Sequence, residues 1–135
     1  MAKKPFTASL EDYLEAIYII SLQSGGSVRV TDLASRLKIR KASVSEALTR
    51  LSKRGLIKHK RYGMITLTAK GKDVAEKIYR RHMIFCRFLE EVLGVDRETA
   101  ERDACLIEHA VSRQTLEKIE KFMNQYLMER ERSKT

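Results

Sequence analysis

The sequence has no tryptophan, a single proline (Pro5) and only six glycines in 135 residues. So few chain breakers leave little room for loops and point to a mostly helical chain. Two cysteines, Cys86 and Cys105, are too few for a disulfide-framed domain. No uncharged apolar run exceeds a handful of residues, which excludes a transmembrane helix. The opening Met-Ala-Lys-Lys-Pro-Phe lacks the apolar stretch of a signal peptide, so a cytoplasmic protein with reduced thiols is expected. There is no Gly-rich phosphate loop, no Ser or Cys nucleophile paired with His, and no arrangement suited to a zinc hydrolase. No catalytic residue is assigned, and an enzyme is not expected.

Acidic residues are scarce in one half. Residues 1–72 carry 15 Lys/Arg against 5 Asp/Glu, a net charge of +10, whereas residues 73–135 carry 12 against 13, a net of −1. The excess of the whole chain, +9, therefore lies in the N-terminal half. Such a concentrated field suits a polyanion, with nucleic acid the first candidate. A mass of 15.6 kDa suits one or two small domains.

Ser9-Leu-Glu-Asp12 reads as a capping box opening a helix, with Leu10, Tyr13, Leu14, Ile17 and Tyr18 at helical spacing to about Gln23. Ser24-Gly25-Gly26-Ser27 stops it, and Val28-Arg29-Val30 is a short extended piece. Thr31 is the expected N-cap of a short helix carrying Leu33, Ala34 and Leu37. After a turn at residues 38–41, residues 42–53 form the next helix, with Gly55 as its stop. Residues 56–60 and 64–67 are strand-like and joined through Arg61-Tyr62-Gly63, which makes a hairpin. Thr68 caps a long helix expected to reach Val92 and end at Gly94. Two more helices are expected, over about residues 97–112 and 114–131, with a frayed end.

This order is that of a winged helix-turn-helix. On its second helix the inward positions are aliphatic, while Arg40, Lys41, Ser43, Ser45, Thr49 and Arg50 stay polar and suit base edges and phosphates. Lys58, Lys60 and Arg61 of the hairpin place charge on the phosphate backbone or minor groove. The competing reading is a helical hairpin with a solvated basic face.

A second constellation lies further along. On a helical wheel Glu101, Cys105, Glu108, His109 and Ser112 share an arc of roughly 100° on an otherwise apolar helix. His82 and Cys86 share a face of the preceding helix at i, i+4. Asp12 and Glu15 lie three apart on the first helix, on the side away from Leu10, Leu14 and Ile17. Carboxylate, imidazole and thiolate hold divalent transition ions. Each piece also has a structural reading: solvated acids near a helix N-terminus, or core filling by His82 and Cys86. The residues alone leave both open.

Glu11 to Tyr18, the winged helix, Arg81-His82 and Cys105-Leu-Ile-Glu108-His109 together resemble the diphtheria-toxin-repressor family of metal-dependent transcriptional repressors. The likeness covers essentially the whole chain and is greatest to the short branch, the manganese transport regulators, which lack a C-terminal SH3-like domain. The resemblance implies a principal site of Asp12, Cys105, Glu108 and His109, and a second site using Glu15 and His82 with Glu108 shared. Asp12 follows the manganese branch, but Cys105 matches an iron-type cysteine where that branch has a bridging glutamate. Cys86 and Glu101 stand where the iron branch has ancillary ligands, a glutamate and a histidine. The set is thus a hybrid suited to Mn²⁺ or Fe²⁺, with Co²⁺, Ni²⁺ and Zn²⁺ able to bind in vitro.

The expected architecture is mainly α with a small β-hairpin: a winged helix-turn-helix over residues 1–72 and a helical metal-binding and dimerisation domain over residues 73–135. The expected partners are double-stranded operator DNA and a second copy of the chain, with no membrane and no protein substrate. The stripe Leu116, Ile119, Phe122, Met123 and Tyr126 covers either the dimer interface or the intramolecular core. The alternative function is a metal-independent winged-helix regulator sensing a small organic ligand or redox state.

Overall fold

The computed structural model describes residues 10–134, which form two compact units divided after Ile78. Ser9 of the expected capping box lies outside the described residues.

In the first unit, α1 (Leu10–Ser24) is buried continuously from Tyr13 to Tyr18. Burial on every side over a turn and a half makes it the central helix of this unit rather than an amphipathic one. After β1 (Val28–Arg29), α2 (Val30–Leu37) begins at once. Arg29 therefore occupies the N-cap position, with extended backbone and no side-chain cap, and Thr31 lies inside the first turn instead of capping it. The reason is β1 itself, which holds Val28 and Arg29 against Ile65 and Met64 and leaves no residue between strand and helix. Lys38 closes α2 in the left-handed region, its N–H directed to the Ala34 and Ser35 carbonyls. α3 (Lys41–Lys53) buries Val44, Ala47, Leu48 and Leu51 at 3–4-residue spacing. Together with Leu14, Ile17, Val28, Leu33 and Ile65 these form the fully buried centre of the unit.

β2 (Ile57–Lys60) and β3 (Met64–Leu67) are joined by a tight turn over Arg61–Gly63. They pair antiparallel, Lys60 opposite Met64, and β1 adds to the far edge of β3 to give the order β1-β3-β2. The hairpin expected from sequence is thus part of a three-stranded sheet. α4 (Ala69–Arg87) opens with Thr68, whose Oγ1 accepts from the Gly71 N–H at 3.0 Å and donates to the Gly55 carbonyl at 2.6 Å.

Regular α4 geometry ends at Arg87, short of the expected Val92, because residues Phe88–Val92 widen into a π turn. In the second unit Asp96 caps α5 (Arg97–Ile107) by accepting from the Thr99 N–H at 3.1 Å. α5 ends five residues before the expected Ser112. The Ala110 and Val111 N–H groups both turn back to the Ile107 carbonyl. Ser112 instead accepts from the Thr115 N–H and opens α6 (Arg113–Lys134), which stays helical to Lys134, where fraying was expected from Arg130 onward. The core here is Phe85, Cys86, Leu89, Ala100 and Ala104, with Leu116 and Ile119 packed against it. Met123 is buried too, so much of the α6 stripe serves its own chain, while Phe122 is exposed.

Candidate functional site

The chemistry of the second unit is gathered where α4 faces α5. Ala100 and Ala104 are wholly buried, and their small side chains let the two helices approach closely. The short Cys86 side chain consequently comes within 4.0 Å of the Ala100 carbonyl. One turn earlier on α4, His82 places each ring nitrogen 2.9 Å from a carboxylate oxygen: Nδ1 from Glu108 and Nε2 from Glu101. Cys86 Sγ lies 3.3 Å from His82 Nε2 and donates to Glu101 Oε2 at 3.4 Å. His82, Cys86 and Glu108 are buried, whereas Glu101 reaches the site from a half-exposed position.

The electrostatics follow from this packing. Burial pushes the Cys86 thiol well above its ordinary range, and the Glu101 carboxylate adds to the effect by its charge and hydrogen bond. For Glu101 burial acts upward as well, but the hydrogen bond and charge of His82, with help from Cys86 and Arg97, outweigh it and hold the carboxyl low. A carboxyl as buried as Glu108, at 1% exposure, stays ionised only beside a compensating cation, a charge that imidazolium or a metal ion would supply. The ligand atoms of His82, Cys86 and Glu101 lie within 4.8 Å of one another. Imidazole, thiol and carboxylate at that spacing fit a divalent transition ion, provided that the ion displaces the thiol proton.

The other predicted ligands are placed as follows. Cys105 is exposed on α5, Glu108 is the α5 C-cap, and His109 lies just beyond it. The common helical face expected for residues 101–112 therefore holds only to Glu108. Neither cysteine is in a disulfide. Asp12 and Glu15 lie on α1 in the first unit. Glu15 is only 5% exposed, so the solvated reading does not hold for it: α1 is buried on all sides at that level.

The predicted DNA-facing residues are all exposed: Arg40 at the α3 N-cap, Lys41, Ser43, Ser45, Thr49 and Arg50 on α3, and Lys58, Lys60 and Arg61 on β2 and its turn. The Thr49 hydroxyl donates back to the Ser45 carbonyl at 3.0 Å, which leaves its oxygen as an acceptor. Among the described residues no helix is long and apolar enough to cross a membrane.

A three-stranded winged helix-turn-helix, its recognition-type helix studded with exposed polar and basic residues, defines the first unit as a DNA-binding domain of the helix-turn-helix regulator class. Comparison with known proteins narrows the class. Residues 5–65 match the N-terminal DNA-binding domain of iron-dependent repressors, and residues 68–131 match the metal-binding and dimerisation domain of the same repressors. The chain is 38% identical over 118 residues to an uncharacterized HTH-type transcriptional regulator of Methanocaldococcus jannaschii, covering 87% of this chain and 94% of that one. It is 34% identical over 126 residues to the HTH-type transcriptional regulator MntR of Geobacillus kaustophilus, covering 93% and 87%. A manganese-dependent transcriptional repressor solved with manganese superposes with a TM-score of 0.79 at 30% identity, covering 86% of this chain and 53% of its own. The manganese regulator SloR gives 0.76 at 29%, covering 87% and 54%. The chain spans about half the length of these solved structures but nearly all of the regulators just named. The protein belongs to the iron-dependent repressor family of transcriptional regulators, which includes the diphtheria-toxin-repressor and manganese-transport-regulator types.

Proposed function

We propose that the protein is a non-enzymatic, metal-switched repressor that binds operator DNA as a cytoplasmic homodimer and controls manganese or iron uptake genes. The observation that carries this reading is the cluster of buried His82, Cys86 and Glu108 with half-exposed Glu101, in a unit that matches a metal-binding and dimerisation domain. Residues 1–72 supply DNA recognition, and residues 73–135 supply metal binding and dimerisation. The principal ligands are Asp12, Cys105, Glu108 and His109. Glu15 and His82 form a second site with Glu108 shared, and Cys86 and Glu101 provide ancillary donors. When bound, Mn²⁺ or Fe²⁺ supplies the cationic charge that these carboxylates require.

Asp12 and Glu15 belong to the helix at the heart of the DNA-binding unit, whereas Cys105, Glu108 and His109 belong to the dimerisation unit. Shared ligation links the two. Dimeric readers need recognition helices about one DNA turn (~34 Å) or a multiple apart. Without ligation the chain samples many separations, and with it the competent one gains population. The exposed apolar side chains Leu93, Leu106, Phe122 and Met128 are the surface assigned to the second copy. Family membership argues against the alternative of a metal-independent sensor. Asp12→Ala and His109→Ala should each abolish metal-stimulated operator binding, read by fluorescence anisotropy. Stimulation that survives both substitutions overturns the mechanism.

A further inference from the structure

The wing carries a residue that neither the fold nor the charge pattern requires. Tyr62, at the β2–β3 turn, sits in the left-handed region at φ 61° and ψ 35°. Among the described residues only Lys38 shares positive φ without being glycine. An aromatic L-residue is strained there, and Asn, Asp or Gly would relieve the strain. The ring gains nothing from the fold in return, since Tyr62 is 94% exposed. A strained, solvent-held aromatic at a loop tip is a feature that function, not stability, explains.

Its surroundings indicate the partner. From Ala47 to Lys72 the chain has eight Lys or Arg and no Asp or Glu. Tyr62 directly follows Lys60 and Arg61 and, with Arg29 and Thr31, lines an open cleft of about 510 Å³. The complement of cations around a thin, protruding ring is the minor groove of duplex DNA. It is about 6 Å wide, with negative potential along its walls and room for an apolar wedge. We propose that Tyr62 is a direct DNA contact, its ring entering the minor groove while Lys60, Arg61 and Arg29 take the flanking phosphates. This rests on the DNA-binding reading above and adds a contact that carries no charge.

The test uses the full chain with Mn²⁺ and a labelled duplex enriched from a random library by the wild-type protein. Tyr62→Asn relieves the backbone strain, so thermal stability should hold or rise while affinity falls about tenfold, the size of one good direct contact. Because no charge is removed, the slope of log affinity against log salt should not change, whereas Lys60→Ala should reduce that slope by about 1. Tyr62→Phe should bind within about twofold of wild type, since the ring and not the hydroxyl fills the groove. Tyr62→Asn binding as tightly as wild type, or losing affinity only with a changed salt slope, overturns the inference and leaves the DNA-binding reading intact. A wild-type chain that enriches no duplex removes both.

Discussion

Gly71 lies in the first turn of α4, where alanine would normally stabilise a helix by up to about 1 kcal/mol. Here the sign reverses. A Cβ built on Gly71 falls 1.9 Å from the Leu56 carbonyl oxygen and 2.8 Å from its carbon, both backbone atoms with no rotamer to yield. An ordinary carbon–oxygen contact is about 3.3 Å, so α4 and the Gly55–Leu56 turn must separate by roughly 1.4 Å. That displacement strains the Thr68 N–H bond to the Leu56 carbonyl at 3.1 Å and the Thr68 side-chain bridge between Gly55 and Gly71. Loss of a hydrogen bond and a cap costs about 1 kcal/mol each, and overpacking adds about 1–3 kcal/mol. Set against the propensity gain, Gly71→Ala should destabilise by about 3 kcal/mol. The measurement is urea unfolding followed by circular dichroism at fixed protein concentration, with Lys72→Ala, an exposed neighbour, as the control expected within about 0.5 kcal/mol of wild type. The β2–β3 wing is anchored through this contact, so DNA affinity should fall with stability. A Gly71→Ala protein as stable as wild type would refute the close approach and the anchoring role derived from it.

Further outcomes follow from the second unit. Asp96 is held below the ordinary carboxylate range by its hydrogen bonds to Thr99, so its capping of α5 is present above the unfolded-state value and is lost as pH falls through the lower folded value. Protection of the Thr99 and Ala100 amides, measured against their intrinsic exchange rates, should fall across that acid window in wild type and show no such step in Asp96→Ala. With Co²⁺ as a probe, a thiolate-to-metal band in the near ultraviolet should appear in wild type, vanish in Cys105→Ser and persist in Cys86→Ser. The opposite pattern would move the principal thiolate to the α4 cluster. Phe122 is 45% exposed beside Phe88 and Tyr126, and Phe122→Glu should shift sedimentation from dimer toward monomer. An unchanged dimer would place the interface elsewhere.

Local rules carried much of the fold. The α3 stripe of Val44, Ala47, Leu48 and Leu51 and the Arg61–Gly63 turn were legible because periodicity and turn chemistry act over a few residues. β1 was readable only as an extended piece: two residues hold no alternation, and their pairing with β3 is long-range. The burial of Glu15 was not legible because a wheel assumes one buried face, whereas α1 is buried all round. The wheel over residues 101–112 held only as far as Glu108 for a different reason, the competition of Ser112 for the start of α6. Gly71 carries no sequence signal, since only the folded chain brings Leu56 against it. Within the site, the i, i+4 pairing of His82 and Cys86 was visible on one helix. Their joining by Glu101 and Glu108 depended on two buried alanines letting α5 close on α4.

Metal occupancy and operator binding should favour one another. The most direct test is anisotropy of a selected operator titrated with the protein at fixed salt, first in chelator and then with Mn²⁺, anaerobic Fe²⁺, Co²⁺ and Zn²⁺. At least a tenfold gain in affinity is expected with Mn²⁺ or Fe²⁺, a coupling of ~1.4 kcal/mol or more, mirrored by an equal gain in metal affinity when operator is present. Tight operator binding that is indifferent to every metal would contradict it, and would return His82, Cys86, Glu101 and Glu108 to a packing role.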